Sequence, residues 1–329
     1  MFDITTQYCL GHSFHLQTDH QNRYLVHIGN RLHQFNSAYI HSVDLVRYHL
    51  EKLFYPHGLW WGFKVAKLFR QFSADEFKHP DTTDENLLSL LYQERNKKTG
   101  EKLPSGVILA ELKFFLATGS SSPASVLSAA LFYLVRNPAC YARLVSEIRS
   151  TFSDPSEIGS GEKLNSLHYL HAVIKETLRM SPPKGGILWR EVEEGGLSID
   201  GEFVNQSYDV GAGIYSVNHN ESYYPEPYSF KAERWLRDET TDNFELSSQA
   251  FASFSLGPRQ CLGREIVTLK LSNIIVLLLW HMDLRRPLGK SGDIGGGERG
   301  SVDENEFQQR DHIISFYDGP CIEFRRRVM

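Results

Sequence analysis

The chain has 329 residues, 41% of them hydrophobic and 23% charged, which is globular composition with apolar sequence for one large core or two small ones. A formal net charge of −5 gives no electrostatic case for nucleic acid. The four cysteines, Cys9, Cys140, Cys261 and Cys321, stand far apart with no CxxC pair, which argues against a disulfide framework or zinc site and for a reducing compartment.

The opening MFDITTQYCLGHSF lacks the basic-then-apolar order of a signal peptide. Stretches 41–54 and 84–95 carry apolar residues at three- and four-residue spacing and read as helices. The polar run 73–85 between them reads as a loop, with Thr83 or Asp84 as the cap of the second helix. Residues 105–137 form a long helical pattern interrupted at TGSSSP, and Asn137-Pro138 opens another amphipathic helix. The helix over 167–180 is stopped by Ser-Pro-Pro.

From 187 to 217 the period changes to strand alternation, with turns at Gly195-Gly196 and Asp200-Gly201 that read as hairpins. Residues 264–281 form a buried helix, 288–306 a glycine-rich charged loop that reads as mobile, and 312–328 a closing hairpin. The longest apolar run, 274–280, is far short of the roughly 20 residues of a bilayer span, so the chain reads as intracellular with no transmembrane segment. The class is mainly α within α+β. One domain over 1–329 divides into stretches 1–104, 105–180, 187–217, 225–264 and 264–329.

Chemistry concentrates at FASFSLGPRQCLGRE. Phe254, Gly257, Arg259, Cys261 and Gly263 stand at F-x-x-G-x-R-x-C-x-G. A thiolate before a helix suits a metal ligand. Glycines beside it let backbone approach a large flat group, and an arginine offers a charged donor to a carboxylate. This stretch resembles the haem-binding signature of the cytochrome P450 family. The resemblance implies that Cys261 is the axial thiolate, Arg259 a propionate partner and haem the cofactor, in a P450-like helical fold with a small β part.

Further motifs follow in family order. In KETLR, Glu176 and Arg179 share a helix face; alone such a pair is usually a weak surface contact. The resemblance joins them to Arg234 of FKAERW in a structural triad, with Ala232 where a proline is usual. Arg190, in PPKGGILWREV, matches a second propionate partner. The family's PAG-like turn reads VNQSY here.

The stretch ATGSSSPAS departs most. Gly119 matches the family glycine, Ser121 stands where an acid is usual and Ser122 where an alcohol is usual. Pro123 has no N–H for the Gly119 carbonyl, which predicts a kink and a free carbonyl as a seat for water or O2.

By resemblance the chain is a haem-thiolate monooxygenase that oxidises a lipophilic small molecule, with electrons from a separate NADPH-dependent reductase. It is most similar to filamentous-fungal members of secondary metabolism. The alternatives are a non-catalytic truncated remnant, since the chain reads as lacking the N-terminal third of the family fold, and a haem-thiolate rearrangement enzyme needing no external O2. Full-length relatives are usually anchored to the endoplasmic reticulum membrane.

Overall fold

The computed structural model describes residues 1–27, 29, 33, 36–37, 43–50, 53, 60, 63, 86–237, 244–297, 303–312 and 314–328. Two compact units divide the chain: Met1–Ala124 with His312–Ile314, and Ser125–Asp311 with Ser315–Met329.

In the first unit, helix α1 (Phe2–Leu10) ends at Gly11, whose φ of 78° is the left-handed closing residue a glycine allows. Helix α2 (Val43–Arg47) falls within the expected helical stretch. Thr83 and Asp84 lie outside the described residues. Helix α3 (Leu87–Gln93) is capped by Asn86, whose side chain accepts from the Ser89 amide at 2.9 Å. Helix α4 (Ser105–Arg136) presents Ile108, Leu112 and Leu116 at four-residue spacing, and these pack with Leu88 and Cys9 into one core.

The interruption expected at TGSSSP does not divide α4, which runs continuously with Pro123 inside it. The hydroxyls of Thr118 and Ser120 bond the carbonyls of Phe114 and Leu116 one turn back, at 2.8 and 2.5 Å, so these polar residues are accommodated within the helix. Among the described residues α4 is long and apolar enough to cross a bilayer by length and composition, and 39% of its apolar window is buried inside the protein.

In the second unit, α5 (Pro138–Thr151) begins with proline at its first position, where no amide partner is lost. A short helix, α6 (Glu162–Asn165), precedes α7 (His168–Met180). Strands β1 (Arg190–Glu191) and β4 (Asp209–Val210) pair antiparallel around the hairpin of β2 (Leu197–Ile199) and β3 (Glu202–Val204). The hairpin turns at Asp200-Gly201, both with positive φ, the requirement of a tight two-residue turn. Helices α8 (Ile214–Asn218) and α9 (Phe244–Ala250) precede α10 (Arg264–His281), which buries Leu271, Ile275, Val276 and Leu279.

The expected closing hairpin is replaced by one pairing that reaches about forty residues back and one short local hairpin. Strand β5 (Met282–Arg285) pairs with β8 (Glu323–Arg326), and β6 (Gln309–Arg310) with β7 (Phe316–Tyr317). Local turn signals carry no information about a partner forty residues away. The described parts of 288–306 are held rather than loose. The Gly292 carbonyl accepts from Arg136 at 2.6 Å, and a Cβ on Gly296 would stand 2.9 Å from the Phe132 ring and 2.3 Å from the Glu304 carbonyl.

Leu144 on α5 is fully buried, whereas Leu288 is 92% exposed. Leu144→Ala is expected to cost about 2–5 kcal/mol and Leu288→Ala less than about 0.5 kcal/mol, read from denaturant midpoints. Equal shifts in the two variants would contradict the packing described.

Candidate functional site

Helix α7 carries the buried charges. Its apolar positions bury Leu170, Val173, Ile174 and Leu178, and that face draws Glu176 and Arg179 inside with it, both at 0% exposure. Two charges taken out of water cost several kcal/mol each unless their hydrogen-bonding capacity is met. Here it is met. Arg179 donates Nε to Glu176 Oε2 at 2.9 Å and Nη2 to Oε1 at 2.8 Å, a bidentate fork. Its Nη1 donates to the carbonyls of Asn218 and Pro227, at 2.8 and 2.7 Å.

Glu176 receives more. The Lys231 amide reaches Oε1 at 3.0 Å, the Trp235 indole N–H reaches Oε2 at 2.8 Å, and Arg234 Nε stands 3.5 Å from Oε1. A 3₁₀ turn over Ala232–Trp235 presents both Arg234 and Trp235 to the carboxylate, and Arg234 also donates to the Pro225 carbonyl at 3.0 Å. The structure thus brings Glu176, Arg179 and Arg234 together, and adds Trp235, which no spacing argument singled out.

The pair is linked onward to the cysteine stretch. Asn218 Nδ2 donates to the Arg179 carbonyl and to Ser253 Oγ, each at 3.0 Å, and Ser253 Oγ donates to the Leu178 carbonyl at 2.9 Å. Ser253 directly precedes Phe254. Asn218 and Ser253 were not legible in sequence, because isolated polar residues in loops carry no periodic signal.

From Phe254 the loop folds back on itself. The Ser255 amide donates to the Ala252 carbonyl at 2.7 Å and the Cys261 amide to the Phe254 carbonyl at 2.8 Å. Gly257, with φ of 69°, starts the 3₁₀ turn Gly257–Arg259, a backbone region that a side chain would strain. The Cys261 side chain is exposed, and Gly263 is the N-cap of α10. Arg259 is exposed as well. Arg190 is exposed on β1, where its guanidinium donates to the Trp189 carbonyl at 2.8 Å.

The donor set tests the fit to haem. Among the described residues no group of three or more His, Cys, Asp or Glu side chains could hold a metal ion. Cys261 offers one exposed sulfur ligand, which is what a metal whose remaining ligands come from a bound group would take from the protein. Exposed Leu256 and Leu262 flank the thiol on the chain, which suits an apolar disc. The residues present fit the group.

The other sequence-singled segment lies in the first unit. The Gly119 carbonyl, expected to be free, accepts from Thr5 Oγ1 at 2.8 Å, so α1 supplies the donor that Pro123 lacks. A Cβ on Gly119 would stand 3.0 Å from Thr5 Cγ2. Ser121 Oγ lies 3.2 Å from His33 Nε2, and Ser122 is half-buried.

Near the ion pair, His219 Nδ1 donates to the Tyr215 carbonyl at 2.9 Å, which leaves Nε2 bare, buried and without a partner among the described residues. Burial, with Arg179 nearby adding to the effect, holds its pKa down at about 4. Its folded pKa lies below the unfolded value of about 6.5, so its contribution is complete above pH 6.5 and is lost as pH falls from 6.5 toward 4. His219→Phe, which keeps an aromatic ring beside Tyr215, is expected to remove up to about 3 kcal/mol of that acid loss. Unfolding midpoints at pH 7 and pH 4.5 measure it, and an unchanged difference would contradict it.

Glu176→Gln leaves the Arg179 charge buried with a neutral partner. It is expected to cost about 3–5 kcal/mol. Normal melting of this variant would show that the pair is solvated in solution.

The comparisons with known proteins agree with one another. The cytochrome P450 family model matches residues 1–299. A cytochrome P450 monooxygenase of Gibberella zeae is 30% identical over 99% of this chain and 76% of its own length. In Gibberella fujikuroi, the cytochrome P450 monooxygenase apf7 is 32% identical over 99% of this chain and 63% of its own length, and apf8 is 36% identical over 84% and 76%. The chain therefore spans about two thirds to three quarters of these curated relatives. A crystal structure of a cytochrome P450, CYP102L1, superposes with a TM-score of 0.73 at 17% identity, and the haem domain of cytochrome P450DA with 0.76 at 14%, each over 99% of this chain and 66% of that one. With the family model matching most of its length and curated relatives matching nearly all of it, the chain belongs to the cytochrome P450 family, whose cofactor is haem.

Proposed function

We propose that the protein is a haem-thiolate monooxygenase that inserts oxygen from O2 into a lipophilic small molecule of fungal secondary metabolism, with electrons from an NADPH-dependent reductase. The observation that supports this most is the Cys261 loop: an exposed thiol beside the N-cap of α10, with its amide tied to the Phe254 carbonyl at 2.8 Å.

In this reading Cys261 holds the iron, Gly257 and Gly263 keep side chains off the macrocycle, and Phe254 braces the loop. Arg259 and Arg190 pair with propionates. Haem bound through a thiolate supplies the oxygen-activating chemistry, because the sulfur pushes electron density onto the iron. Glu176, Arg179 and Arg234 hold the chain that leads into the loop. The Ser122 hydroxyl can donate and accept a hydrogen bond on the oxygen side. Membrane anchoring of the kind usual in the family belongs to the proposal as well.

One observation favours a second reading. Ser121 cannot ionise, which suits a haem-thiolate rearrangement that uses no external O2; turnover that persists without O2 would select it.

The carbon monoxide complex of the reduced, haem-loaded chain is expected to show the red-shifted Soret band of thiolate ligation. Cys261→Ala is expected to lose it, and Cys9, Cys140 and Cys321 substitutions to keep it. Burial pushes the Cys140 thiol up to about 11, which disfavours it as a ligand at neutral pH. A band that survives Cys261→Ala overturns the assignment.

A further inference from the structure

We propose that His33 acts through Ser121 as a proton-relay residue, supplying to the Ser121–Ser122 segment of α4 the ionisable group that position 121 itself lacks. The inference deepens the monooxygenase reading and rests on it.

The geometry is local and specific. His33 Nε2 and Ser121 Oγ stand 3.2 Å apart, within hydrogen-bond reach. Four other hydroxyls near this stretch are committed elsewhere. Thr118 and Ser120 bond their own helix, Thr5 donates to the Gly119 carbonyl, and Ser125 Oγ accepts from Gln309 at 2.8 Å. Among the described residues Ser121 is the member of 117–125 whose hydroxyl meets a titratable side chain.

His33 is half-buried, and burial first and the charge of His312 second hold its pKa below the usual value. Among the described residues His312 is the titratable group that bears on it. The ring is therefore uncharged at neutral pH, with one nitrogen able to donate and the other to accept.

The step balances without any redox change. A solvent proton enters at Nδ1, the Nε2 proton passes to Ser121 Oγ, and the proton Ser121 held leaves from that hydroxyl. One proton enters and one leaves, and the ring resets by tautomer exchange.

A purely structural role would be met by glutamine, which offers a donor and an acceptor but does not titrate. In the haem-loaded full chain, His33→Gln is expected to keep melting temperature and haem content. Product formed per NADPH consumed is expected to fall about tenfold, less than the full general-acid effect of about 10²–10⁴ because water can still serve. The pH dependence of that ratio is expected to flatten, and adding Ser121→Asp to restore it. Independently of turnover, the His33 Nε2 resonance of ¹⁵N-histidine-labelled protein is expected to move on Ser121→Ala and to stay on Ser122→Ala. An unmoved resonance, or a His33→Gln protein coupled as wild type at every pH, overturns the relay alone. A wild-type chain without the thiolate Soret signature overturns the monooxygenase reading and the relay with it.

Discussion

The buried pair of Glu176 and Arg179 is the constraint around which the second unit is arranged. Each side chain is fully enclosed, and the attraction between them does not by itself offset the loss of hydration. What offsets it is the chain on either side. Carbonyls of Asn218 and Pro227 complete Arg179, while the Lys231 amide, the Trp235 indole and Arg234 complete Glu176. A segment of irregular backbone, which has no ladder of its own to follow, is thereby wound to one path. An apolar pair of the same volume could fill the space but could not dictate where those carbonyls and amides go. The pair's contribution is therefore to shape more than to net stability.

That shape is transmitted. Asn218 and Ser253 tie the end of α7 to the residue before Phe254, and the Cys261 amide then closes back on the Phe254 carbonyl. The thiol is thus placed by a chain of hydrogen bonds that begins at the ion pair. In the other unit, the polar stretch of α4 is ordered by partners from outside the helix: α1 through Thr5 at Gly119, and His33 at Ser121.

Much of this was legible in sequence, for identifiable reasons. The sequence reads as a helix over 264–281 and α10 is Arg264–His281, because eighteen residues without Pro or Gly leave the period unbroken. The turn at Asp200-Gly201 was readable because few residues accept positive φ there. Glu176, Arg179 and Arg234 were found through a motif, since an i,i+3 pair by itself says nothing of burial. What was not legible is what depends on distance along the chain. The pairing of β5 with β8, the Thr5 donor to Gly119 and the His33 contact with Ser121 each join residues tens of positions apart or more, and no local pattern encodes them. The free Gly119 carbonyl was a sound inference from Pro123 that a distant hydroxyl overrode.

The central claim is that Cys261 presents sulfur to haem iron from a loop held in place by the buried pair. The iron–sulfur stretching band in the resonance Raman spectrum of the haem-loaded chain, grown with ³⁴S-cysteine, tests it most directly. The account predicts an isotope-shifted band that persists when Cys9, Cys140 and Cys321 are all replaced by alanine. A haem without any sulfur-sensitive band, or one whose band vanishes with those three cysteines while Cys261 remains, would contradict it.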